Sequence, residues 1–417
     1  MAANHPEHAL VAAEAEAEPR NSRTVTRSAR SNDLDLVRLP TEEDDDDGPP
    51  GPGPRSIFHI YSKHEVHKCL SPTVDTAKER WSGPTPKEQK AKRKEKKKRK
   101  ALGVPLVDPD DNAFFLHRPY LAFHVPPRVL YAGNSKHGSK PAVLIHEGWF
   151  WKEYKLQLGP SIAKPGVIDP RGVVAWKHNG GDKKALKTDD RKLKGYKVRT
   201  WRLWGENGKD YVHSVKDNRK TGEGPDPDVL DPDDTEPERA DEVVYLKWTS
   251  PLSRHTRRYH FQYAGIDFFW KGTGTVKETR RCGGLLRFNH LKLVAQIPPD
   301  GDEKTEDRPE VCLGKYTCSV AASKNGTLDL FDTAILRLVE EYAPSMLIQD
   351  PFDDQAQEDQ ASTEVSEHSK LLTMKRSTLY QVIVATATCM IITEKEKRHT
   401  LLDFLLQAGE GGGGAGG

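Results

Sequence analysis

The chain is poor in cysteine and has no long apolar run. Its 417 residues contain five cysteines, an odd number, and no two of them form a Cys-x-x-Cys pair. A disulfide framework or a zinc ribbon is therefore not expected. The longest apolar run, 379–392, includes Gln381 and two threonines and is shorter than the roughly 20 residues that a spanning helix needs. The run indicates a buried core helix, and no transmembrane span is predicted.

The sequence also lacks the signatures of the common enzyme classes. It contains no nucleophile elbow, Walker A loop or dinucleotide fingerprint, and Gly272-x-Gly274-x-x-Lys277 falls short of a phosphate loop. Its many carboxylates cluster in segments where no burial is expected to tune their pKa. The sequence therefore predicts a protein that is not an enzyme and needs no cofactor. No apolar run of signal-peptide length stands at the N-terminus, which favours the cytoplasm or the nucleus.

One cluster of metal-ligand residue types stands near the start of the strand-like region. His59, Glu65, His67 and Cys69 share strand parity, so their side chains could project to one face. His and Cys are common zinc ligands, but no second ligand pair follows at zinc-site spacing. We therefore interpret these residues as polar side chains at a strand edge, and no metal site is predicted.

The low apolar content predicts that part of the chain does not fold. Hydrophobic residues make up 35 % of the sequence and charged residues 30 %, which is too polar for a chain that is globular throughout. Charge and Pro/Gly runs predict a disordered N-terminal arm at 1–55, which includes six consecutive acids at Glu42–Asp47, and a Gly-rich tail at 407–417. Between them we expect one domain, 56–406, with disordered insertions at about 82–112, 160–195, 215–241 and 349–370.

Short strand-like segments fill most of the remaining chain. Tyr259, Phe261 and Tyr263 alternate with polar residues, which is the period-2 pattern of a half-buried strand. The dipeptides Asn207-Gly208 and Asn325-Gly326 are hairpin signals. Ten to twelve short antiparallel strands predict an all-β barrel or sandwich. The segments are 57–61, 114–116, 120–125, 141–146, 196–204, 210–213, 243–248, 259–263, 266–270, 291–293, 311–320 and 327–331.

The pattern changes near the C-terminus. A segment over about 377–397 is apolar on all sides at helical spacing and ends in Glu394-Lys395-Glu396-Lys397-Arg398. Cations at the end of a helix suit its dipole, and a helix that is apolar all round must be surrounded by protein. In an all-β chain the natural place for such a helix is the inside of a barrel.

The order and spacing of these segments resemble the fungal proteins of the tubby C-terminal-like group, which are related in fold to LURP-one-related and phospholipid scramblase domains. The resemblance covers roughly residues 56–406 and implies a mainly β fold, a barrel of about twelve antiparallel strands around a C-terminal helix. Fungal members are mostly of unassigned function, tubby-type members are phosphoinositide-binding adaptors, and scramblase-type members act at membranes. The segments that carry the resemblance are Phe58–Tyr61, Trp248–Ser250, Arg257–Phe261, Phe268–Thr273, Leu291–Val294, Gly314–Tyr316, Gly326–Leu330 and Leu379–Arg398.

A basic run is the main candidate for function. Lys87–Lys100 holds ten cations and two glutamates, and such a run attracts anions by charge without reading a sequence. The run could contact anionic phospholipid or another protein, and nucleic acid is a less favoured partner than either. It could also be a nuclear import signal or a solvated loop. The fold resemblance favours a binding or adaptor protein, and the alternative is a nuclear protein. The candidate anion-binding residues are Lys92, Arg93, Lys94, Lys96, Lys97, Lys98, Arg99, Lys100, Arg257 and Arg258.

Overall fold

The structure is a computed structural model that covers most of the domain expected from the sequence. Of residues 258, 346–347 and 396–411 it describes the backbone alone. The residues that it describes are 53–63, 66–104, 108–121, 123–148, 153–198, 208–229, 236–248, 258–272, 290–297, 309–319, 321–347 and 367–411.

Twelve antiparallel strands form a closed barrel, as predicted. Each strand pairs with its neighbours in the chain, and β1 closes the barrel by pairing with β12. The strands are β1 (Ser56–Lys63), β2 (His67–Ser71), β3 (Phe114–His117), β4 (Arg128–Ala132), β5 (Lys140–Glu147), β6 (Glu153–Leu158), β7 (Glu242–Trp248), β8 (Arg258–Tyr263), β9 (Ile266–Lys271), β10 (Leu291–Gln296), β11 (Glu310–Cys318) and β12 (Lys324–Leu330).

Eight helices accompany the barrel in the described part of the chain. Two of them, α7 and α8, follow one another at the C-terminus and are separated by Ser377. The helices are α1 (Thr76–Glu79), α2 (Pro86–Ala101), α3 (Pro160–Ala163), α4 (Ala185–Thr188), α5 (Lys209–Thr221), α6 (Asp332–Tyr342), α7 (Glu367–Arg376) and α8 (Thr378–Gly411).

Helix α8 occupies the inside of the barrel. Its residues from Leu379 to Glu394 are buried around the whole helix, with Gln381 alone half-buried. They share one hydrophobic core with inward-facing residues of the strands, including the fully buried Trp270. Packing against strands on every side explains why this helix is apolar on every face. The predicted central helix is therefore confirmed, and its backbone continues beyond the expected end at 397.

The insertion predicted as disordered at 160–195 is instead packed against the outside of the barrel. Phe115 and Tyr131 point outward from β3 and β4 and are buried against apolar residues of the insertion such as Val167, Val174 and Leu193. Strands β3 and β4 are therefore buried on both faces. Apolar contact with the barrel wall stabilises a segment whose own composition is polar.

A buried ion pair and a close contact hold the same insertion in place. The Arg171 guanidinium donates to the Asp169 carboxylate and to the backbone carbonyls of Tyr196 and Lys197. Both charged side chains are almost fully buried, so each depends on the other for compensation. Gly172 has a φ of +80°, and a Cβ there would lie 2.4 Å from the His117 ring, so the chain requires glycine at this turn.

Several other sequence predictions are corrected by the structure. The predicted loop at 82–112 contains the sixteen-residue helix α2, and residues 209–221 form helix α5, where a hairpin around Asn207-Gly208 was expected. The predicted strand over 120–125 is wrong for its described residues, which contain a single isolated bridge between Leu121 and His124. Strands β2, β4 and β6 had not been predicted. Of the predicted insertion 349–370, the structure describes residues 367–370, which form the start of helix α7. The predicted strand over 196–204 lies largely outside the described residues.

No single helix among the described residues has both the length and the apolarity of a membrane span. Helix α7 and the part of α8 up to Lys395 reach that composition only when they are taken together, and they are bent by 53° at the break between them. The apolar part of α8 is buried within the barrel. This observation agrees with the prediction of a core helix.

Candidate anion-binding surface

The basic run forms a regular helix because its ends carry strong helix signals. At the N-terminus the Thr85 hydroxyl accepts from the Glu88 backbone N–H, and the Glu88 carboxylate accepts from the Thr85 N–H at 2.8 Å, which is a capping box with Pro86 at the first helical position. At the C-terminus Gly103 has a φ of +66° and the Val104 N–H donates to the Arg99 carbonyl. Lys, Arg, Gln and Glu between these ends are good helix formers.

Helix α2 is exposed on all its faces. None of its residues is buried, and only Glu88 and Arg99 are half-buried. The structure therefore places eight predicted anion-binding residues together on one solvated helix about 24 Å long. They are Lys92, Arg93, Lys94, Lys96, Lys97, Lys98, Arg99 and Lys100.

A few polar contacts attach α2 to the segments on either side of it. Arg80 pairs with Glu88 in the first turn, Lys92 Nζ lies 3.1 Å from the Asp75 carboxylate in the middle, and Arg99 pairs with Asp108 near the end. Eight further cations of α2 form no ion pair with a described residue. Among the described residues, the charge of these cations is therefore not compensated by ion pairs.

The short helix α1, which precedes α2, is itself attached to the barrel. The Glu79 carboxylate accepts from Lys324 Nζ of β12 at 2.8 Å and from the Tyr61 hydroxyl of β1 at 2.7 Å. Partial burial raises the pKa of Glu79, but the hydrogen bonds from Lys324 and Tyr61 outweigh this effect, and the pKa lies below its usual value. The pKa of Asp75 is also lowered, because its contacts with Lys92 and Lys78 outweigh the effect of burial.

Exposed apolar side chains stand at both ends of the basic helix. Trp81, which precedes it, is 68 % exposed, although its carbonyl accepts from the Ala322 N–H and fixes its backbone beside β12. Leu102, which follows the helix, is 66 % exposed, and Val104 is 44 % exposed. Large apolar side chains exposed next to a dense positive charge form a combined surface that the sequence reasoning did not identify.

The two remaining predicted site residues are not part of this surface. Arg257 lies outside the described residues, and Arg258 begins β8, where only its backbone is described. Four strands lie between β8 and β1 on the shorter way around the barrel. Since α1 docks beside β1 and β12, the backbone of β8 lies on another part of the wall.

The histidines of the possible metal cluster are engaged separately. The His67 ring stacks on that of His117 at 4.8 Å, and its Nδ1 accepts from the Arg118 N–H. His59 Nδ1 lies 3.3 Å from Lys324 Nζ and 3.6 Å from the Glu79 carboxylate. Glu65 lies outside the described residues. In the part of the chain that the structure describes, no group of three or more His, Cys, Asp or Glu side chains could hold a metal ion.

The barrel interior is filled by protein. Trp270 Nε1 donates to Thr386 Oγ1 at 3.2 Å, and the Tyr154 hydroxyl lies 2.6 Å from that of Thr393. The Tyr259 hydroxyl donates to the buried Glu394 carboxylate. Helix α8 thus provides a hydrogen-bond partner for an inward-facing polar group of each of β6, β8 and β9.

Comparison with known proteins adds no relative to this description. No family model matches the chain, and no curated protein or solved structure matches it. The description of the fold rests on the closed twelve-stranded barrel and its interior helix.

Proposed function

We propose that this chain is a non-enzymatic binding or adaptor protein of tubby-like type that contacts anionic phospholipid membranes through α2. The supporting observation is the combined surface of ten cations flanked by exposed Trp81, Leu102 and Val104. A barrel filled by its own helix supports a role in binding at the outer surface. A cytoplasmic or nuclear location is part of the same proposal, because the site must meet an anionic partner there.

The exposed apolar side chains favour a bilayer over nucleic acid. Cations attract both partners by charge, at about 1 kcal/mol for each Lys or Arg near an anionic membrane. Trp81 could stack on a base or sit at a membrane interface. Leu102 and Val104 have no flat ring to stack on bases, whereas burial of a leucine side chain in the interfacial region contributes about 1.5–3 kcal/mol.

The first experiment neutralises four of the eight α2 cations that form no ion pair with a described residue. Gln keeps nearly the helix propensity of Lys, and Lys92 and Arg99 are retained because they pair with Asp75 and Asp108. The control removes the same number of exposed lysines elsewhere. The test variant is K94Q/K96Q/K97Q/K98Q, and the control variant is K183Q/K184Q/K187Q/K216Q.

Co-sedimentation of the full chain with phosphatidylcholine vesicles and with phosphatidylserine-containing vesicles measures the effect. Four lost contacts of up to about 1 kcal/mol each predict a fall of up to about 1000-fold in affinity for the anionic vesicles. The control should bind like the wild type. Equal losses in the two variants, or equal binding to both kinds of vesicle, would contradict a site on α2.

A second variant, W81A/L102A, separates a membrane from nucleic acid. It should weaken binding to anionic vesicles about tenfold or more and leave binding to duplex DNA unchanged, because DNA contact at this site would be electrostatic. If the variant binds vesicles as tightly as the wild type and duplex DNA displaces them, the basic run acts through charge alone. That result would favour a nuclear protein whose basic run serves import or non-specific nucleic-acid contact.

A further inference from the structure

Most of the positive charge on helix α2 is not compensated by ion pairs with described carboxylates. Eight of its ten cations pair with no carboxylate among the described residues. The sequence contains a complementary segment, the six consecutive acids Glu42–Asp47. We propose that this acidic block binds α2 of the same chain and competes with outside anions for it.

The topology brings the two segments within reach. Strands β1, β2, β3 and β4 are consecutive neighbours. Across them, Ile60 of β1 pairs with Leu70, Leu70 pairs with Phe114, and Phe114 pairs with Ala132 at the end of β4. Ala132 therefore lies at the same height on the barrel wall as Ile60. Two residues further, the Asn134 side chain donates to the carbonyl of Asp108, the residue that pairs with Arg99. The C-terminal end of α2 therefore lies towards the same end of the barrel as the start of β1.

The length of the chain permits the contact. Three strand spacings of about 4.8 Å separate β1 from β4, or about 14 Å around the wall. Ser56, the first residue of β1, follows Asp47 by nine positions, and a chain of that length spans at most about 30 Å. Six acids in an extended segment cover about 20 Å, which is close to the length of α2. The acidic block matches the helix in length and in charge density.

A second acidic segment provides a matched comparison. Residues 349–366 also contain six acids, but these are spread over fifteen residues, so their charge is less dense. Neutralising either segment removes the same number of negative charges from the chain. The block variant is E42Q/E43Q/D44N/D45N/D46N/D47N, and the control variant is D350N/D353N/D354N/E358Q/D359N/E364Q.

The consequence for binding rests on the proposed function and is measured with the full chain and phosphatidylserine-containing vesicles. A short tether gives an effective concentration in the millimolar range, so a block that binds α2 with a Kd of about 0.1 mM predicts roughly tenfold tighter vesicle binding in the block variant. The gain should shrink as salt is raised, because the competing contact is electrostatic. If the wild type binds the vesicles, an equal gain in the control variant, or no gain in the block variant, would overturn the proposal.

The contact itself is measured without any outside ligand. Zero-length carbodiimide cross-linking joins a carboxylate to a lysine only when the two are in contact, and mass spectrometry identifies the joined peptides. In monomeric wild-type chain we expect links from Glu42–Asp47 to lysines of α2. If these links form while no variant binds vesicles, the proposed function fails and the internal contact stands. Links from 349–366 alone, or none to α2, would refute the contact.

Discussion

The hydrogen bond between Trp270 of β9 and Thr386 of α8 allows a sharp test of how the interior helix is held. Both side chains are fully buried, and the indole Nε1 donates to Thr386 Oγ1 at 3.2 Å. An indole N–H can only donate, so it depends on this acceptor. The change Thr386→Val keeps the shape of the side chain and leaves a buried donor unsatisfied, which costs about 1–3 kcal/mol.

Thr388 is the matched control on the same helix. Its hydroxyl donates to the Ala385 carbonyl at 2.7 Å, just as the Thr386 hydroxyl donates to the Ile383 carbonyl at 2.9 Å. The changes Thr386→Val and Thr388→Val therefore lose the same local bond and gain the same methyl group. The difference between their free energies of unfolding isolates the indole N–H.

Urea unfolding followed by far-UV circular dichroism measures that difference. With a urea m value of about 3 kcal/mol per M, a difference of about 2 kcal/mol lowers the midpoint of Thr386→Val by about 0.7 M relative to Thr388→Val. The change Trp270→Phe removes the donor, so in that background the two valine variants should unfold at nearly the same urea concentration. Equal midpoints in the wild-type background, or a difference that persists in the Trp270→Phe background, would refute the reasoning.

Two further predictions concern the insertion packed outside the barrel. Burial and the neighbouring His67 lower the pKa of His117 to about 3, below its unfolded value of about 6.5. Between these two values the unfolded chain binds a proton that the folded chain does not. The free energy of unfolding should therefore fall by up to about 1.4 kcal/mol per pH unit as pH drops below 6.5. The variant His117→Gln should flatten this dependence in urea titrations, and an unchanged slope would contradict it. The change Arg171→Gln leaves Asp169 buried without its charge partner, at a cost of about 3–5 kcal/mol. Peptides from 160–198 should then exchange amide hydrogens faster, whereas the exposed control Arg191→Gln should not have this effect.

The barrel could be predicted from local patterns because its strands and interior helix carry clear periodicities. The hairpin of β8 and β9 turns at Ala264-Gly265 with both residues at positive φ, as the alternating residues on either side predicted. Strand β6 has the same period-2 alternation, Glu-Tyr-Lys-Leu-Gln-Leu, so a stricter count of alternation would have found it.

The misplaced turn at Asn325-Gly326 has a different physical reason. This dipeptide lies within β12, and the chain turns before Lys324. A Cβ on residue 326 would lie 2.6 Å from the Tyr316 ring and 2.4 Å from the Thr317 carbonyl, so glycine is needed here for close packing between strands. A dipeptide alone does not distinguish this requirement from a turn.

The candidate site was predictable in its charges but not in its shape. The capping box Thr85-Pro86-Lys87-Glu88 and Gly103 are local signals that predict the two ends of α2. The dense positive charge between them led instead to the prediction of a disordered insertion. Exposure of Trp81 and Leu102 depends on how the chain docks, which no local pattern contains. The packing of the insertion at 160–195 was missed for the same reason, since its stabilising partner is the outer face of strands distant in sequence.

The two outer elements differ in how they are attached, and this difference supports α2 as the functional surface. The 160–195 insertion is held by buried apolar contacts and a buried ion pair, which salt hardly screens. Helix α2 is held by ion pairs at the surface. The lowered pKa of Asp75 means that its contact with Lys92 stabilises the fold above the unfolded pKa of Asp75 and loses strength as pH falls through the folded one. An element that buries none of its own residues contributes little to the core. Its ten cations are therefore better explained by a partner than by stability.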